Sequence, residues 1–156
     1  MIKLLDILEN KILVPLRSKE ERGKNYNIAL QKQVQQYMKG GGKGDLNLRD
    51  TPITSLPPDL SVGGNLSLGY AKKITSLPPG LKVKGDLYLY NTKITSLPSD
   101  LKVKGDLDLD NSKITSLPSD LKVGGNLNLS RTPLSKSHTK KQIRQMAPGV
   151  KGDIYM

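Results

Sequence analysis

Hydrophobic and polar residues alternate over short stretches that return at regular intervals along the chain. Between positions 101 and 109 every second residue is Leu, Val or Gly, and this period of two is typical of a strand with one buried face. The next apolar residues are Ile114 and Leu117, and Pro118 follows them. Because proline lacks a backbone donor and breaks helices, the segment after the strand is predicted to be extended or polyproline-like.

This pattern belongs to a unit that recurs every 20 or 21 residues. Aligned on a shared glycine, the copies begin at Gly44, Gly64, Gly85, Gly105 and Gly125, and a partial copy begins at Gly152. One copy has too few residues to bury its own leucines, so the copies must stack. We therefore expect leucines in continuous internal columns and about six short strands in one parallel sheet, with neighbouring strands about 4.8 Å apart.

The unit reads Gly-(Asp/Asn)-Leu-x-Leu-x-x-(Thr/Ser)-x-Ile-Thr-Ser-Leu-Pro-x-x-Leu-x-Val. It resembles the leucine-rich repeat, and it is most similar to the short 20-residue type found in bacteria and their phages. The resemblance covers residues 44–134 and the closing strand, and it implies an α/β solenoid whose concave sheet commonly binds proteins. Where the family has Asn, this chain has hydroxyl residues, which we expect to form a weaker ladder between coils; they are Thr51, Thr92, Ser112 and Thr132.

Two departures from the family pattern keep alternatives open. A glycine before each strand is less usual in leucine-rich repeats, so a β-helix with a flatter sheet is a close alternative. The second copy holds one extra residue between Gly69 and Ile74, and Ala71 replaces its Thr. We expect a local bulge there, either as part of a binding surface or as a neutral loop variation.

Residues 1–42 are predicted to form a helical cap, because a solenoid otherwise exposes its core at both ends. Helices are expected over 2–13 and over about 18–39, the second starting at the capping-box pattern of Ser18. Its apolar stripe comprises Tyr26, Leu30, Val34, Tyr37 and Met38. The first helix is read as part of the cap or, alternatively, as a membrane-surface helix. The start of the chain is neither a signal peptide nor long enough to span a bilayer.

Residues 135–156 are predicted to form the second cap. Ser137 or Thr139 is expected to start a short helix over Lys140–Met146 that buries Ile143 and Met146. Val150 and the residues after it should return as the last strand. The three segments, 1–42, 43–134 and 135–156, are expected to form one structural domain.

Composition narrows the chemistry. The 156 residues include no Cys, which excludes disulfides and thiolate chemistry and favours a reducing, cytoplasmic location. One histidine, His138, has no evident catalytic partner, and no nucleophile or phosphate-loop motif occurs, so we expect no enzyme and no cofactor. Asp106, Asp108 and Asp110 resemble the start of a calcium loop, but along a strand they lie too far apart to share one ion, and no metal site is expected.

Three rows of polar residues are predicted to face outward from the stacked strands. One row is monotonously Asp or Asn and is interpreted as structural. The other two vary from copy to copy and contain Tyr88 and Tyr90, as expected of a specific binding surface. The candidate protein-binding residues are Tyr70, Tyr88, Tyr90, Asp108, Asp110, Asn128 and Arg131. An ordinary solvated sheet is the alternative interpretation.

Lysines form rows as well, and the net charge is +11. Like charges about 4.8 Å apart repel each other, which favours an anionic partner. Asp86, Asp100, Asp106 and Asp120 are interleaved with these lysines, and solvated lysines that only keep the protein in solution are the alternative interpretation. The candidate anion-binding residues are Lys82, Lys84, Lys102, Lys104 and Lys122. We thus expect a monomeric, non-catalytic protein-binding module, with nucleic acid or another anionic surface as the alternative partner and self-assembly through an imperfect cap as a weaker one.

Overall fold

The computed structural model describes residues 19–156, with the side chains of residues 19–22 and 24 left out. Helix α1 (Lys19–Lys39) precedes a series of two-residue strands. These are β1 (Leu46–Asn47), β2 (Ser61–Val62), β3 (Leu66–Ser67), β4 (Lys82–Val83), β5 (Leu87–Tyr88), β6 (Lys102–Val103), β7 (Leu107–Asp108), β8 (Lys122–Val123) and β9 (Leu127–Asn128). Helices α2 (Pro133–Ser137) and α3 (Lys140–Met146) follow, and β10 (Ile154–Tyr155) ends the fold. The helix predicted over 2–13 and its alternative, the capping pattern of Ser18 and the first 18 residues of the predicted cap lie outside the described residues.

The strands form two parallel sheets in a β-solenoid. The six-stranded sheet has the order β1-β3-β5-β7-β9-β10, and the four-stranded sheet has the order β2-β4-β6-β8. Pairing is in register, so that Leu87 pairs with Leu66 on one side and with Leu107 on the other. The prediction of stacked coils with about six short parallel strands in one sheet is therefore confirmed.

The prediction of a single strand over 101–109 is wrong, because this stretch forms two strands, β6 and β7. The expectation of only one sheet is wrong as well. The chain bends at Lys104 and Gly105, which places β6 and β7 in different sheets. A Cβ atom on Gly105 would collide with Oδ1 of Asp86 in the preceding coil. The glycine before each strand thus permits the close contact between coils at the bend.

Six columns of aliphatic side chains fill the interior. The leucines on either side of the outward strand residue, such as Leu107 and Leu109, are fully buried, as are Ile114 and Leu121. Each column repeats in the neighbouring coils, because the register places equivalent residues beside one another. No single coil encloses this core, which supports the expectation that stability comes from stacking.

Polar groups at the bend between the sheets form an Asp/Asn ladder along the solenoid. In each coil the side-chain Oδ1 accepts the backbone N–H of the equivalent residue in the next coil, at 2.7 to 2.8 Å. The row comprises Asp45, Asn65, Asp86, Asp106 and Asn126, with Asp153 as the last donor. Its structural interpretation is confirmed.

The hydroxyl row does not form the predicted ladder between coils. Thr51, Thr92 and Thr132 each donate to the carbonyl oxygen three residues earlier in their own coil, at 2.6 to 2.7 Å. The backbone turns sharply at these positions, so the nearest acceptor belongs to the same turn. The three threonines therefore fix the turns after β1, β5 and β9, whereas the buried Ser112 hydroxyl has no hydrogen-bond partner among the described residues. The Asp/Asn ladder joins the coils instead.

Both ends of the core are covered. On α1, Leu30 and Val34 are buried, and Tyr37 and Met38 pack against them. Tyr26 was expected in this stripe but is 52% exposed. The amides of Asn27 and Gln31 bind Thr54 and Ser55 of the first coil, which rotates the contacting face of the helix away from Tyr26.

The second cap begins earlier than predicted. Helix α3 matches the expected range, and Thr139 is its N-cap, with a complete capping box to Gln142. Helix α2 was not predicted, although Thr132 caps it and Pro133 occupies its first turn, which is a favourable start signal. Ile143 is buried as predicted, and Met146 is partly buried against the core.

Within residues 19–156, no helix is both long enough and apolar enough to cross a membrane.

Candidate binding surfaces

The outward side of the six-stranded sheet brings the predicted protein-binding residues together. Tyr88 pairs with Asp108, and Asp108 pairs with Asn128, so the three follow one another across adjacent strands. Tyr90, Asp110 and Arg131 lie in the turns that follow these strands, and Tyr70 lies in the turn that follows the adjacent strand β3. We call this surface the tyrosine face; it comprises Arg49, Tyr70, Tyr88, Tyr90, Asp108, Asp110, Asn128 and Arg131.

Three tyrosine rings form its aromatic half. Tyr90 lies edge-to-face with Tyr70, with ring centroids 5.5 Å apart, and with Tyr88, with centroids 6.4 Å apart. The guanidinium carbon of Arg49 lies 5.4 Å from the Tyr70 ring centre and 5.7 Å from that of Tyr90. Aromatic pairs and cation–π contacts of this kind hold side chains in place without burying them.

Arg49 and Gly69 belong to this arrangement but were not among the predicted site residues. Gly69 occupies the row position next to Tyr90, and a Cβ atom there would collide with the Tyr90 ring. The glycine therefore leaves a notch that the outer end of the Tyr90 ring occupies. The signal was present in the row Arg49, Gly69, Tyr90, where a missing side chain adjoins a large one.

Paired charges form the other half of the face. Nε of Arg131 donates to Oδ1 of Asp110 at 2.8 Å, and a second guanidinium nitrogen pairs with Oδ2. Nδ2 of Asn128 donates to Oδ1 of Asp108 at 3.0 Å. Partial burial raises the pKa of Asp108. A cationic partner group beside this carboxylate would stabilise its charged form.

Tyr88 divides two shallow depressions. One, of about 260 Å³, is lined by Asp45, Leu46, Asn47, Asn65, Ser67, Tyr88 and Tyr90. The other, of about 200 Å³, is lined by Tyr88, Asp106, Leu107, Asp108, Asn126, Asn128 and Tyr155. The Tyr88 hydroxyl donates to Oδ2 of Asp86 at 2.9 Å, which raises the pKa of Tyr88. This hydrogen bond fixes the ring as the ridge between the depressions.

Two residues of the face have left-handed backbone conformations. In five successive coils, the residue in the turn that follows the second strand leucine by two positions has a positive φ. Three of these residues are Asp50, Asn91 and Asn111, and Asp and Asn tolerate the left-handed region well. The other two are Tyr70, with φ 61°, and Arg131, with φ 59°. A bulky residue there costs about 1 kcal/mol or more relative to Gly or Asn. Both costly residues contribute side chains to the tyrosine face.

A second surface lies on the outward side of the four-stranded sheet. Lys82, Lys102 and Lys122 pair in register across β4, β6 and β8. Lys84 and Lys104 occupy the next outward position in their coils, and Lys151, which was not predicted, follows in the same row. All six are exposed. We call these six residues the lysine face.

The extra residue of the second copy lies in an additional turn. Ala71 occupies the buried position that holds Thr in other copies, and Lys72 and Lys73 form a second turn before Ile74. The predicted bulge is therefore present, in the turn after the strand. Strand register is kept on both sides of it.

The remaining chemistry-bearing residue is His138, which lies in the second cap. Its Nδ1 is 2.8 Å from the Ser137 hydroxyl oxygen, which also lies 3.1 Å from the Pro133 carbonyl. Among residues 19–156, no three His, Asp or Glu side chains form a group suited to a metal ion. No family model matches the chain, and neither does any curated protein or solved structure.

Proposed function

We propose that this chain is a non-catalytic protein-binding module that uses the tyrosine face. The observation that carries the proposal is the three-ring cluster of Tyr70, Tyr88 and Tyr90, held by Arg49 on the outside of a rigid sheet. Tyr and Arg are the residue types enriched among interface positions that dominate binding energy. They offer a large contact area at a low entropy cost when their conformations are already fixed.

Two unfavourable backbone conformations in the tyrosine face support a binding role for it. Tyr70 and Arg131 occupy positive-φ positions where Asn91 and Asn111 show that a better-suited residue fits. Keeping Tyr and Arg there costs folding stability, and costs of this kind concentrate at functional sites. A partner that contacts both side chains would span the whole tyrosine face.

The charges favour a partner with at least one cationic side chain. Asp108 is partly buried, and its pKa is raised by that burial. Asp106 lines the same depression. A Lys or Arg of the partner entering beside Tyr88 would meet both carboxylates and the ring at once.

We also propose that the solenoid is of the leucine-rich-repeat type. The leucine columns and the recurring proline after them support this assignment. The second sheet and the Asp/Asn ladder are departures from the expected pattern. A crystal structure that gives the curvature of the six-stranded sheet tests the assignment, since a leucine-rich repeat requires that sheet to be concave and a β-helix requires it to be nearly flat.

The binding proposal is tested by affinity capture from the native host with quantitative mass spectrometry, comparing the wild type with Tyr88→Ala/Tyr90→Ala. Tyr26→Ala is the matched control, because this exposed tyrosine lies on α1, away from the face. The expected result is a protein captured by the wild type and the control but lost from the double variant. Titration of that purified protein should then show a loss of about 30-fold or more in affinity.

Loss of capture counts only if the double variant unfolds at a urea concentration close to that of the wild type. Capture of the same proteins in the same amounts by all three chains would overturn the assignment of binding to the tyrosine face.

A further inference from the structure

We propose that the lysine face binds the phosphate backbone of duplex nucleic acid without reading its sequence. This site lies on a different sheet from the tyrosine face, so it is a second binding activity.

The sheet register holds the lysines in two parallel rows. Lys82 pairs with Lys102, and Lys102 pairs with Lys122. In the second row, the backbone N–H groups of Lys84, Lys104 and Lys151 each bind the carbonyl of the inward valine in the coil before, at 2.9 to 3.0 Å. Strands in a sheet are about 4.8 Å apart, so the backbones of neighbouring lysines in the first row are closely spaced. In the second row Lys84 adjoins Lys104, and Gly124 separates Lys104 from Lys151. The fold thus concentrates positive charge that no coil would carry alone.

A trough of about 720 Å³ runs between these lysines at the C-terminal end of the sheet. Its floor contains Gly124 and Gly149, which occupy row positions where other coils have lysine, and a Cβ on either would collide with backbone of the preceding coil. Its sides carry Lys102, Lys104, Lys122 and Lys151. Two glycines without side chains, beside four long lysines, produce a channel. A channel suits a linear row of phosphates better than a flat anionic surface.

Among the residues that the structure describes, no acidic side chain lines the trough or pairs with these lysines. Asp120 and Asp153 lie two residues from Lys122 and Lys151 in sequence, but neither lines the trough. Asp86 and Asp106 accept backbone N–H groups in the Asp/Asn ladder, and Asp100 accepts the N–H of Gly80 at 2.6 Å. The trough therefore carries a local positive charge that an external anion would neutralise.

The lining also indicates which anion. It contains lysine, glycine and two valines that are almost completely buried, Val103 and Val123. Sequence-specific binding needs side chains carried into a groove on a helix or β-ribbon, and single-stranded binding uses aromatic stacking platforms; the lining contains no aromatic residue and lies on the surface of a sheet. Anionic membrane surfaces also attract lysine clusters, but stable membrane-surface binding is favoured by exposed apolar anchors beside the charges, and the two valines of the trough are buried. Ammonium groups alone match a duplex backbone, which offers closely spaced phosphates with the bases turned inward.

The test is fluorescence-anisotropy titration of a random-sequence DNA duplex of about 30 base pairs, at salt concentrations from about 50 to about 200 mM. The test variant carries Lys→Gln at Lys102, Lys104, Lys122 and Lys151. The control variant carries Lys→Gln at Lys72, Lys73, Lys93 and Lys113, which are exposed lysines outside the lysine face. Both variants lose the same net charge, and urea unfolding checks that both remain folded. The double variant Lys102→Gln/Lys122→Gln serves if the fourfold variant does not fold.

Wild type and control are expected to bind, with an affinity that falls steeply with salt. Each lysine–phosphate contact contributes about 0.9 to the slope of log affinity against log salt, so the fourfold test variant should lose about 3 to 4 of that slope, and the double variant about 2. Equal losses in test and control variants would assign binding to net charge and overturn the proposal. So would a flat salt dependence, or binding to phosphatidylserine vesicles with none to the duplex. Tyr88→Ala/Tyr90→Ala should keep duplex binding, which separates this outcome from that of the proposed function.

Discussion

The Asp/Asn ladder predicts that one side chain in the middle of the solenoid contributes measurably to its stability. Oδ1 of Asp86 accepts the N–H of Asp106 in the next coil at 2.8 Å, and Oδ2 accepts the Tyr88 hydroxyl at 2.9 Å. Asp86→Ala removes both acceptors and leaves the N–H facing a coil that offers no replacement. Loss of a hydrogen bond of this kind costs about 1 to 3 kcal/mol. We expect Asp86→Ala to lower the free energy of unfolding by about 2 kcal/mol.

Asp86→Asn is the matched control, because Asn65 and Asn126 fill the same position in other coils with the same hydrogen bond. Its amide oxygen accepts from Asp106, so the change should stay within about 0.5 kcal/mol of wild type. Urea unfolding followed by circular dichroism gives both values, provided that the denaturant dependence is unchanged. Equal midpoints for wild type and Asp86→Ala would show that the ladder does not stabilise the stack.

Two further predictions concern the tyrosine face. Gly69→Ala places a methyl group in the space of the Tyr90 ring, so we expect the free energy of unfolding to fall by about 1 to 2 kcal/mol. The near-ultraviolet circular dichroism of the tyrosines should change as well, and an unchanged spectrum would contradict the close contact between Gly69 and the ring. Asp108→Asn should raise the melting temperature at about pH 7, because burial raises the Asp108 pKa and ionisation therefore disfavours folding. That gain should vanish below the ordinary aspartate pKa of about 3.9, where both folded and unfolded Asp108 are protonated. Asn128 and Asn47 show that Asn fits this row, and a lower melting temperature at neutral pH would refute the burial argument.

The stacked architecture was predictable because it follows from periodicity alone. Leucines that return every 20 residues must align once the coils stack, whatever path the chain takes between them. The bend at Lys104 and Gly105 was not predictable in the same way. Alternation of period two continues through the bend, and it does not show that the chain has turned into a second sheet.

The candidate site was predictable as a set of rows but not as a set of contacts. Register brings Tyr88, Asp108 and Asn128 together, as the repeat alignment implies. The positions of Arg49 over two rings and of Tyr90 over Gly69 depend on side-chain directions between neighbouring coils. Similarly, Lys151 joins the lysine face only because the second cap returns to the sheet after helix α3.

Disulfide cross-linking between adjacent coils tests the stacking most directly, since the chain has no native Cys. The N–H of Thr115 donates to the Thr95 carbonyl at 3.1 Å, so these exposed residues lie side by side in neighbouring coils. Their separation of about 4.8 Å suits a disulfide. Thr95→Cys/Thr115→Cys should oxidise rapidly in the folded protein, whereas Thr75→Cys/Thr115→Cys, two coils apart, should not. Equal oxidation of the two pairs, or none of the first, would contradict the in-register stack.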